Sequence, residues 1–384
     1  MTTVYLIRHG EAEGNLYRRM QGWYDGDLTD LGRRQVAALA GRFRDIHLDA
    51  VYSSDLYRAM ETAAALCRPK GLPLFTDPRL REVSVGPWED EPFGSASAEQ
   101  PEQFYRFVRE PHLWELEGAD TFSGLAERGC AALRDIIARH PGQVVAVCAH
   151  QCIIKSMLCK LFFGLDHADQ VVYGTNTAVS RLTAEDGALN LDFQNDVSHL
   201  NGALLRIPSR RDMVIRPMAE DAVEEYIRYR KDAWQVVYGT MKGFDGPGFW
   251  LDARRTVGKD PAAMVVGYLG GSPAGMIQLS PSRDADKGVG YIPFLYLREP
   301  FRHQGLGIQL IGHAVSFYRK LGRDRLQLSV APTNEKALGF YYKYGFYQAK
   351  KHKGLFGNLL LLEKDISLPK PPADIPVIPA NNLS

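Results

Sequence analysis

The sequence predicts two α/β units in one chain. Three observations carry this. Strand-like and helix-like segments alternate through the first half. A glycine-rich turn joins a strand to a helix in the second half. The charge balance also changes sign between the halves. A chain of 384 residues has room for two or three domains. Its 45% hydrophobic and 24% charged residues are ordinary globular composition. The net charge of +1, without a dense basic run, carries no nucleic-acid signature. Residues 1–207 hold 21 Lys and Arg against 28 Asp and Glu, whereas residues 208–384 hold 25 against 17. The basic second half suits an anionic ligand.

In the first half, Thr3–Ile7 is a short β-branched run that reads as a strand, so no signal peptide is expected ahead of it. Thr29 to Phe43 has helical spacing, with Leu31, Val36, Leu39, Ala40 and Phe43 on one face. Ala50-Val51-Tyr52 reads as a strand, Arg58 to Cys67 as a helix and Glu127 to Arg139 as an amphipathic helix. Val144 to Cys148 is the continuous apolar run of a buried parallel strand, and Ile153 to Phe163 is helical. This alternation predicts an open α/β sheet covered on both faces. Two later strands, Thr177–Leu182 and Ala188–Phe193, flank a turn at Glu185-Asp186-Gly187. The first unit is therefore set at 1–207 and a linker at 208–212, where apolar residues run out. The second unit is set at 213–366. A Pro-rich tail, 367–384, cannot build a core; it is expected to be extended or disordered, or else to pack along the other domain. The five cysteines all lie in the first half, are odd in number and form no CxxC pair, which suits a reduced, cytoplasmic setting. No apolar stretch is long enough to span a membrane.

Arg8-His9-Gly10-Glu11 follows the first strand directly, at the strand end where open α/β sheets bind ligands. A neutral imidazole can attack phosphorus, and a guanidinium can hold phosphate oxygens in pairs. His150 follows the Val144–Cys148 strand, and Arg58 follows the strand at Val51. Glu82 is the candidate acid for the leaving oxygen. The segments RHGEAEGN, QGWYDGDLTDLGRRQ, SSDLYRAMETA, LREVSVGPWED and VCAHQCIIKSM occur in an order that resembles the histidine phosphatase (phosphoglycerate mutase-like) superfamily, over about residues 3–205. The resemblance implies a three-layer α/β/α fold and a metal-independent phosphohistidine mechanism on a small phosphorylated metabolite. His9 would be the nucleophile, with Arg8, Arg58 and His150 on the phosphoryl oxygens. Asn15 and Gln21 would line the pocket, and Glu82 would be general acid and then base. Ala12, Asp27, Asp90 and Gln151 depart from the family's usual residues, Gly being usual at the last two of these sites. These departures bear on the substrate more than on the chemistry. The segment from Gly94 to Phe122, with Phe104, Tyr105, Phe107 and Trp114, is where the family caps its pocket. The motif wording is closer to small-metabolite phosphatases, the α-ribazole phosphatase-like branch included, than to glycolytic mutases.

The second half opens on the strand at Val214, followed by a long helical stretch from Ala219 to about Val237. A hairpin joins Val265–Leu269 to Ala274–Leu279 through Gly270-Gly271-Ser272. Strand Tyr291–Leu297 then leads through Arg302-His303-Gln304-Gly305-Leu306-Gly307 into a helix from Ile308 to about Leu321. A Gly-rich turn at a helix N-terminus is an anion site. With Asn334-Glu335-Lys336-Ala337-Leu338-Gly339-Phe340-Tyr341 and Gly345-Phe346 behind it, the segment resembles the GNAT N-acetyltransferases over roughly residues 213–365. That resemblance implies an α+β acyl-CoA fold with acetyl-CoA as cosubstrate and an amine acceptor. Arg302, Gln304, Gly305 and Gly307 would hold the pyrophosphate, Asn334 would contact the coenzyme arm, and Tyr341 would protonate the departing thiolate. Phe340, Tyr342 and Tyr344 around Tyr341 also fit a core aromatic. The family's usual strand carboxylate is missing from Tyr291–Leu297, and Glu299 sits beside the turn. The aromatics between Trp234 and Trp250 read as core. The chain is thus expected to be a bifunctional enzyme. Two alternatives are a phosphatase gated by a GNAT domain that senses acetyl-CoA, and a mutase-type phosphotransferase.

Overall fold

The computed structural model describes residues 1–205, 211–257, 260–354 and 357–382. Pro208, Ser209 and Arg210 of the expected linker, and the 207/208 boundary itself, lie outside the described residues. The chain divides into two compact units, one of Met1–Glu91, Ala96–Pro208 and Pro369–Ser384, the other of Pro92–Ser95 and Ser209–Leu368.

Up to residue 205 the elements run β1 (Thr2–Arg8), α1 (Glu13–Tyr17), α2 (Asp30–Arg42), β2 (Ala50–Ser53), α3 (Tyr57–Cys67), β3 (Leu74–Thr76), α4 (Phe93–Glu99), α5 (Pro101–Arg109), α6 (Phe122–Arg139), β4 (Val144–Ala149), α7 (Gln151–Leu158), β5 (Val179–Glu185) and β6 (Ala188–Asp196). From residue 211 onward they run β7 (Val214–Pro217), α8 (Val223–Tyr238), α9 (Gly246–Val257), β8 (Met264–Leu269), β9 (Ser272–Ser280), β10 (Val289–Leu297), α10 (Gly307–Lys320), β11 (Arg325–Val330), α11 (Glu335–Lys343), β12 (Tyr347–Gly354), β13 (Gly357–Asp365) and β14 (Val377–Pro379).

The first sheet has the order β14-β3-β2-β4-β1-β5-β6. Its centre is parallel, with β1 beside β4 and β4 beside β2, while β5 runs antiparallel to β1. Ile7, Val51, Ala146, Cys148 and Val179 bury one face against Leu39 of α2, Phe43 just after its end, and Met60, Ala63 and Leu66 of α3. Burial on both faces explains the unbroken apolar runs of β2 and β4. The register carries the functional consequence. Pairing Arg8 with Ala149 sets His9 level with His150, and His9 N donates to Ala149 O at 3.0 Å.

The second sheet has the order β12-β13-β11-β10-β9-β8-β7 and is antiparallel except between β10 and β11. β10 and β11 pair from Val289↔Arg325 only as far as Ile292↔Leu328, although both strands continue. β10 also shifts register against β9 between Tyr291 and Phe294. The two strands therefore part midway, leaving strand edges next to α10.

Several boundaries differ from the sequence expectation. α6 starts at Phe122 rather than Glu127, because the Thr121 hydroxyl accepts from Gly124 N and caps the helix there. The helix expected over Ile153 to Phe163 is α-helical as far as Leu158 and continues to Phe163 as one wider, π-type turn. Thr177 is not the start of a strand: it has φ +62° and β5 begins at Val179. Of the readings of the tail, extended chain packed along the first unit is the one observed. Val377–Pro379 adds a parallel strand beside β3, and Asp374 pairs with Arg68 at 2.6 Å. Proline is tolerated there because an edge strand needs no donor on its outer side. Among the described residues no helix is long and apolar enough to cross a membrane.

Candidate active sites

Three parallel strand ends meet at the first site. His9, one residue past β1, is 4% exposed and its Nδ1 lies 2.7 Å from the Gly10 carbonyl. A carbonyl can only accept, so Nδ1 carries the proton and Nε2 keeps its lone pair. Burial pushes the His9 pKa well below the usual histidine value, and the guanidinium groups of Arg58 and Arg8 push it the same way. The ring is thus neutral, as a nucleophile must be. His150 caps α7 and is fully buried, its ring centroid 5.2 Å from that of His9. Burial, Arg58 and His9 push its pKa well down too. Neither ring nitrogen of His150 has a hydrogen-bond partner in the protein.

The two arginines are tied down by one end each. Arg58, in the first turn of α3, donates from Nη2 to Gly22 O at 2.8 Å and from Nη1 to Tyr24 O at 3.1 Å. Arg8 donates from Nη1 to Gly174 O. The Nε of each is buried and has no protein partner, and the same is true of both amide atoms of Gln21. Buried donors normally find partners. Arg8 and Arg58, whose charges act on both imidazoles, thus present unpaired donors beside them, and that positive charge suits an anion such as phosphate.

Glu82 is 6% exposed, and its carboxylate sits against the first turn of α7. Oε1 accepts from Val83 N at 2.9 Å, and from Cys152 N and Ile153 N at 3.1 Å each. Oε2 shares only the Cys152 donor, leaving it free to exchange a proton. Arg128 Nη2 and Trp23 Nε1 hold the Glu82 carbonyl at 2.7 and 2.9 Å. Both act through the backbone, which is why neither stands out in the sequence.

Asn15, expected to line the pocket, is held through its side-chain oxygen. Its Oδ1 accepts from Ala12 N at 3.0 Å and from Asn176 Nδ2 at 3.2 Å. Asn176 Nδ2 also reaches His9 O at 3.1 Å, and Thr177 N donates to the carbonyls of Arg8 and His9 at 3.1 and 3.2 Å. Thr177 is fully buried in a left-handed conformation, which costs a β-branched residue about 1–3 kcal/mol. Sequence reasoning missed this clamp on the His9 backbone, since a strained φ leaves no compositional mark. Glu89 was missed likewise: it accepts from Trp23 N and Tyr24 N at 2.8 Å each and shapes the loop that Arg58 holds. Asp90, at a site where Gly is usual, has φ +60°, and its carboxylate meets buried Arg19 at 2.8 Å. That ion pair offsets the backbone strain that a glycine would avoid. Phe107 and Trp114 of the 94–122 segment pack on Trp88 at 5.9 and 6.0 Å, so these two are packing residues; Tyr105 is exposed.

The second site lies at the N-terminus of α10. His303 (φ +60°) and Gly305 (φ +73°) turn the chain into the helix, whose first N–H groups lack intrahelical partners. A Cβ on Gly307 would come 3.1 Å from the Phe340 ring, so glycine lets α11 close on α10. Arg302 Nε donates to Leu297 O at 2.9 Å, and Gln304 Nε2 donates to Pro300 O at 2.7 Å. Asn334 caps α11 by accepting from Ala337 N at 3.3 Å. Tyr341 is 7% exposed against the rings of Phe340 and Phe346, and burial holds its pKa well above that of an ordinary tyrosine. The parted strands β10 and β11, the unpaired backbone N–H groups that a helix start leaves, and the absence of side chains at Gly305 and Gly307 fit an acyl-coenzyme A. β10 has no carboxylate of its own, but Asp232 reaches it from α8, accepting from the Tyr296 hydroxyl at 3.0 Å. Trp234 packs on Tyr238, Phe244 and Phe249 as a core cluster.

Residues 4–197 match the Histidine phosphatase superfamily (branch 1), and residues 221–346 match the Acetyltransferase (GNAT) family. The chain is 33% identical over 178 residues to Phosphoserine phosphatase 1 of Hydrogenobacter thermophilus, covering 46% of this chain and 84% of that protein. It is 31% identical over 186 residues to Probable phosphoglycerate mutase GpmB of Yersinia pestis, covering 48% and 86%. The solved structure of Bacillus stearothermophilus YhfR aligns with a TM-score of 0.51 at 34% identity, covering 52% of this chain and 99% of that one. With two facing histidines and two arginines at the strand ends where the motifs put them, the chain belongs to the histidine phosphatase superfamily, and a GNAT acetyltransferase domain follows in the same polypeptide.

Proposed function

We propose that this chain is a bifunctional enzyme, hydrolysing a small phosphate monoester at His9 and transferring an acetyl group to an amine in its second unit. The observation that carries the first activity is the buried pair His9–His150, with the charges of Arg8 and Arg58 acting on both rings and the Nε of each arginine without a protein partner. His9 Nε2 attacks phosphorus as the ester P–O bond breaks, and Glu82 gives its proton to the leaving oxygen. Water then attacks the phosphohistidine, passing a proton to Glu82 as the P–N bond breaks. Gly10 O holds the Nδ1 proton throughout and stabilises the positive ring of the intermediate. Arg8, Arg58 and His150 stabilise the equatorial oxygens, the larger part of phosphoryl-transfer catalysis. No step calls on a metal ion. Similarity to a phosphoserine phosphatase favours a small alkyl phosphate over a macromolecule as substrate. Five unpaired cysteines fit a reducing cytoplasm.

The test is phosphate release from phosphoserine, simple alkyl phosphates and phosphoglycerates, with chelator present. Release of free phosphate supports the hydrolase. Movement of the phosphoryl group between carbons without release would replace it by a mutase, and no reaction would sink both.

In the second unit the acetyl-CoA thioester supplies the acyl group when bound. Backbone N–H groups from Gln304 to Gly307 would hold its pyrophosphate, with Arg302 shaping the loop and Asn334 near the coenzyme arm. Tyr341, kept protonated by burial, donates to the departing thiolate, and Asp232 is the carboxylate available near β10 for the amine proton. Tyr341→Phe should lower kcat by roughly 10²-fold, with the KM for acetyl-CoA little changed. Release of the coenzyme A thiol reads this directly, and an unchanged kcat would return Tyr341 to a packing role.

A further inference from the structure

Arg230 lies on the α8 and α9 side of the second sheet with its guanidinium half-buried among aromatic rings: 4.0 Å from the Phe294 centroid, 5.0 Å from Phe249 and 5.3 Å from Tyr226. Nε donates to the Tyr226 hydroxyl at 2.8 Å, and Nη2 donates to Gln278 Oε1 at 3.0 Å. Gln278 is fully buried, takes a second bond from Tyr226 at 2.9 Å, and donates to Thr256 Oγ1 at 3.2 Å. A carboxamide, a phenol and a hydroxyl thus fix one edge of the guanidinium in a set geometry.

All of these partners are neutral. Among the described residues no carboxylate lies within ion-pair distance of Arg230. On the same two helices Glu225 is engaged with the Tyr229 hydroxyl, Asp232 with the Tyr296 hydroxyl and Asp252 with Arg255, and Glu224 is exposed in the first turn of α8. A guanidinium drawn out of water without a counter-charge is costly, and stacking on rings offsets only part of that cost. The position is informative too. Phe294 is the residue where β10 resumes its register with β9, two residues beyond the last β10–β11 pair. An anion on Arg230 would therefore sit beside the part of β10 where the strands separate.

We infer that Arg230 receives an anionic group of the acyl acceptor, so that the acceptor is a small amine bearing a carboxylate or a phosphate. This rests on the acetyltransferase reading of the second unit. An arginine fork held by Tyr226 and Gln278 suits either planar carboxylate or phosphate oxygens. The anion would fix the amine's distance from the thioester, so the charge would act as a specificity element.

The test uses the full chain and acetyl-CoA, with coenzyme A release as readout. Three kinds of acceptor are compared: amino acids, their carboxamides, and O-phosphorylated amino alcohols beside the parent alcohols. The unaltered protein should favour an anionic acceptor over its neutral counterpart by about 10²-fold in kcat/KM, and Arg230→Gln should bring that ratio close to 1. Calorimetric binding of acetyl-CoA to the variant checks that the unit is folded; if it is not, the ratio in the unaltered protein decides alone. The carboxylate and phosphate arms tell which anion is preferred. Turnover of neutral and anionic amines at equal efficiency, or a ratio that survives in folded Arg230→Gln, would overturn the inference. Acetyl-CoA binding without turnover of any amine would remove the acetyltransferase reading, and this inference with it.

Discussion

His9→Ala is expected to cut phosphate release by at least ~10³-fold in kcat and to abolish the covalent intermediate. The size follows from the loss of the one imidazole of the His9–His150 pair that a hydrogen bond orients. His9 is held through Nδ1 by Gly10 and through its backbone by Ala149, Asn176 and Thr177. His150 has no hydrogen bond to aim its ring. The anion clamp remains in the variant, so the phosphate ester should still bind, and the loss should fall on kcat rather than KM. The decisive measurement is transfer of labelled phosphate to protein followed by denaturation in base, where phosphohistidine survives. Label should appear on the unaltered chain and be absent from His9→Ala. Label persisting in the variant would move the nucleophile to another residue, His150 first. Acetyl transfer should be unaffected in the same preparation, which also shows that the variant is folded.

The second large effect is expected from Glu82→Gln, at about 10²–10⁴-fold in kcat with alkyl phosphates. The amide is nearly isosteric, and its oxygen can still accept from Val83, Cys152 and Ile153, so folding should survive. What it cannot do is donate and recover a proton at the Oε2 position. The loss should depend on the leaving group. An aryl phosphate, whose phenolate needs little help to leave, should still phosphorylate His9 quickly. Hydrolysis of the intermediate then becomes limiting, so a burst of phenol equal to the enzyme should precede a slow steady rate. An equal loss for alkyl and aryl esters, without a burst, would mean that Glu82 only braces the start of α7.

The chemistry of the first unit was legible because its carriers are short motifs at strand ends. Alternating apolar runs located β1, β2 and β4, and whatever follows such strands comes together at one edge of the sheet. Arg8, His9, Arg58 and His150 were found by that logic, and Glu82 by the need for an acid. The glycines of the α10 loop were legible for a similar reason, since a strand, a glycine turn and a helix are contiguous in sequence. The outer strands of the two sheets were less visible. β3 is three residues long and β12 is polar, so neither shows the apolar pattern of a buried strand. β14 sits in a Pro-rich stretch that looks unable to fold, and it pairs only because β3 offers it an open edge.

The residues themselves pointed to a histidine phosphatase domain and a GNAT domain in one chain, because the motifs of both are particular side chains at contiguous positions. How the sites are held is written in contacts between distant positions. The clamp of Asn176 and Thr177 on the His9 carbonyl and the seating of Glu82 on α7 depend on strand register and on single hydrogen bonds. So do the reach of Asp232 from α8 to β10 and the lack of a counter-charge at Arg230. Such pairings span tens to more than a hundred residues of chain, and a one-residue slip in register would turn each side chain to the opposite face of its sheet.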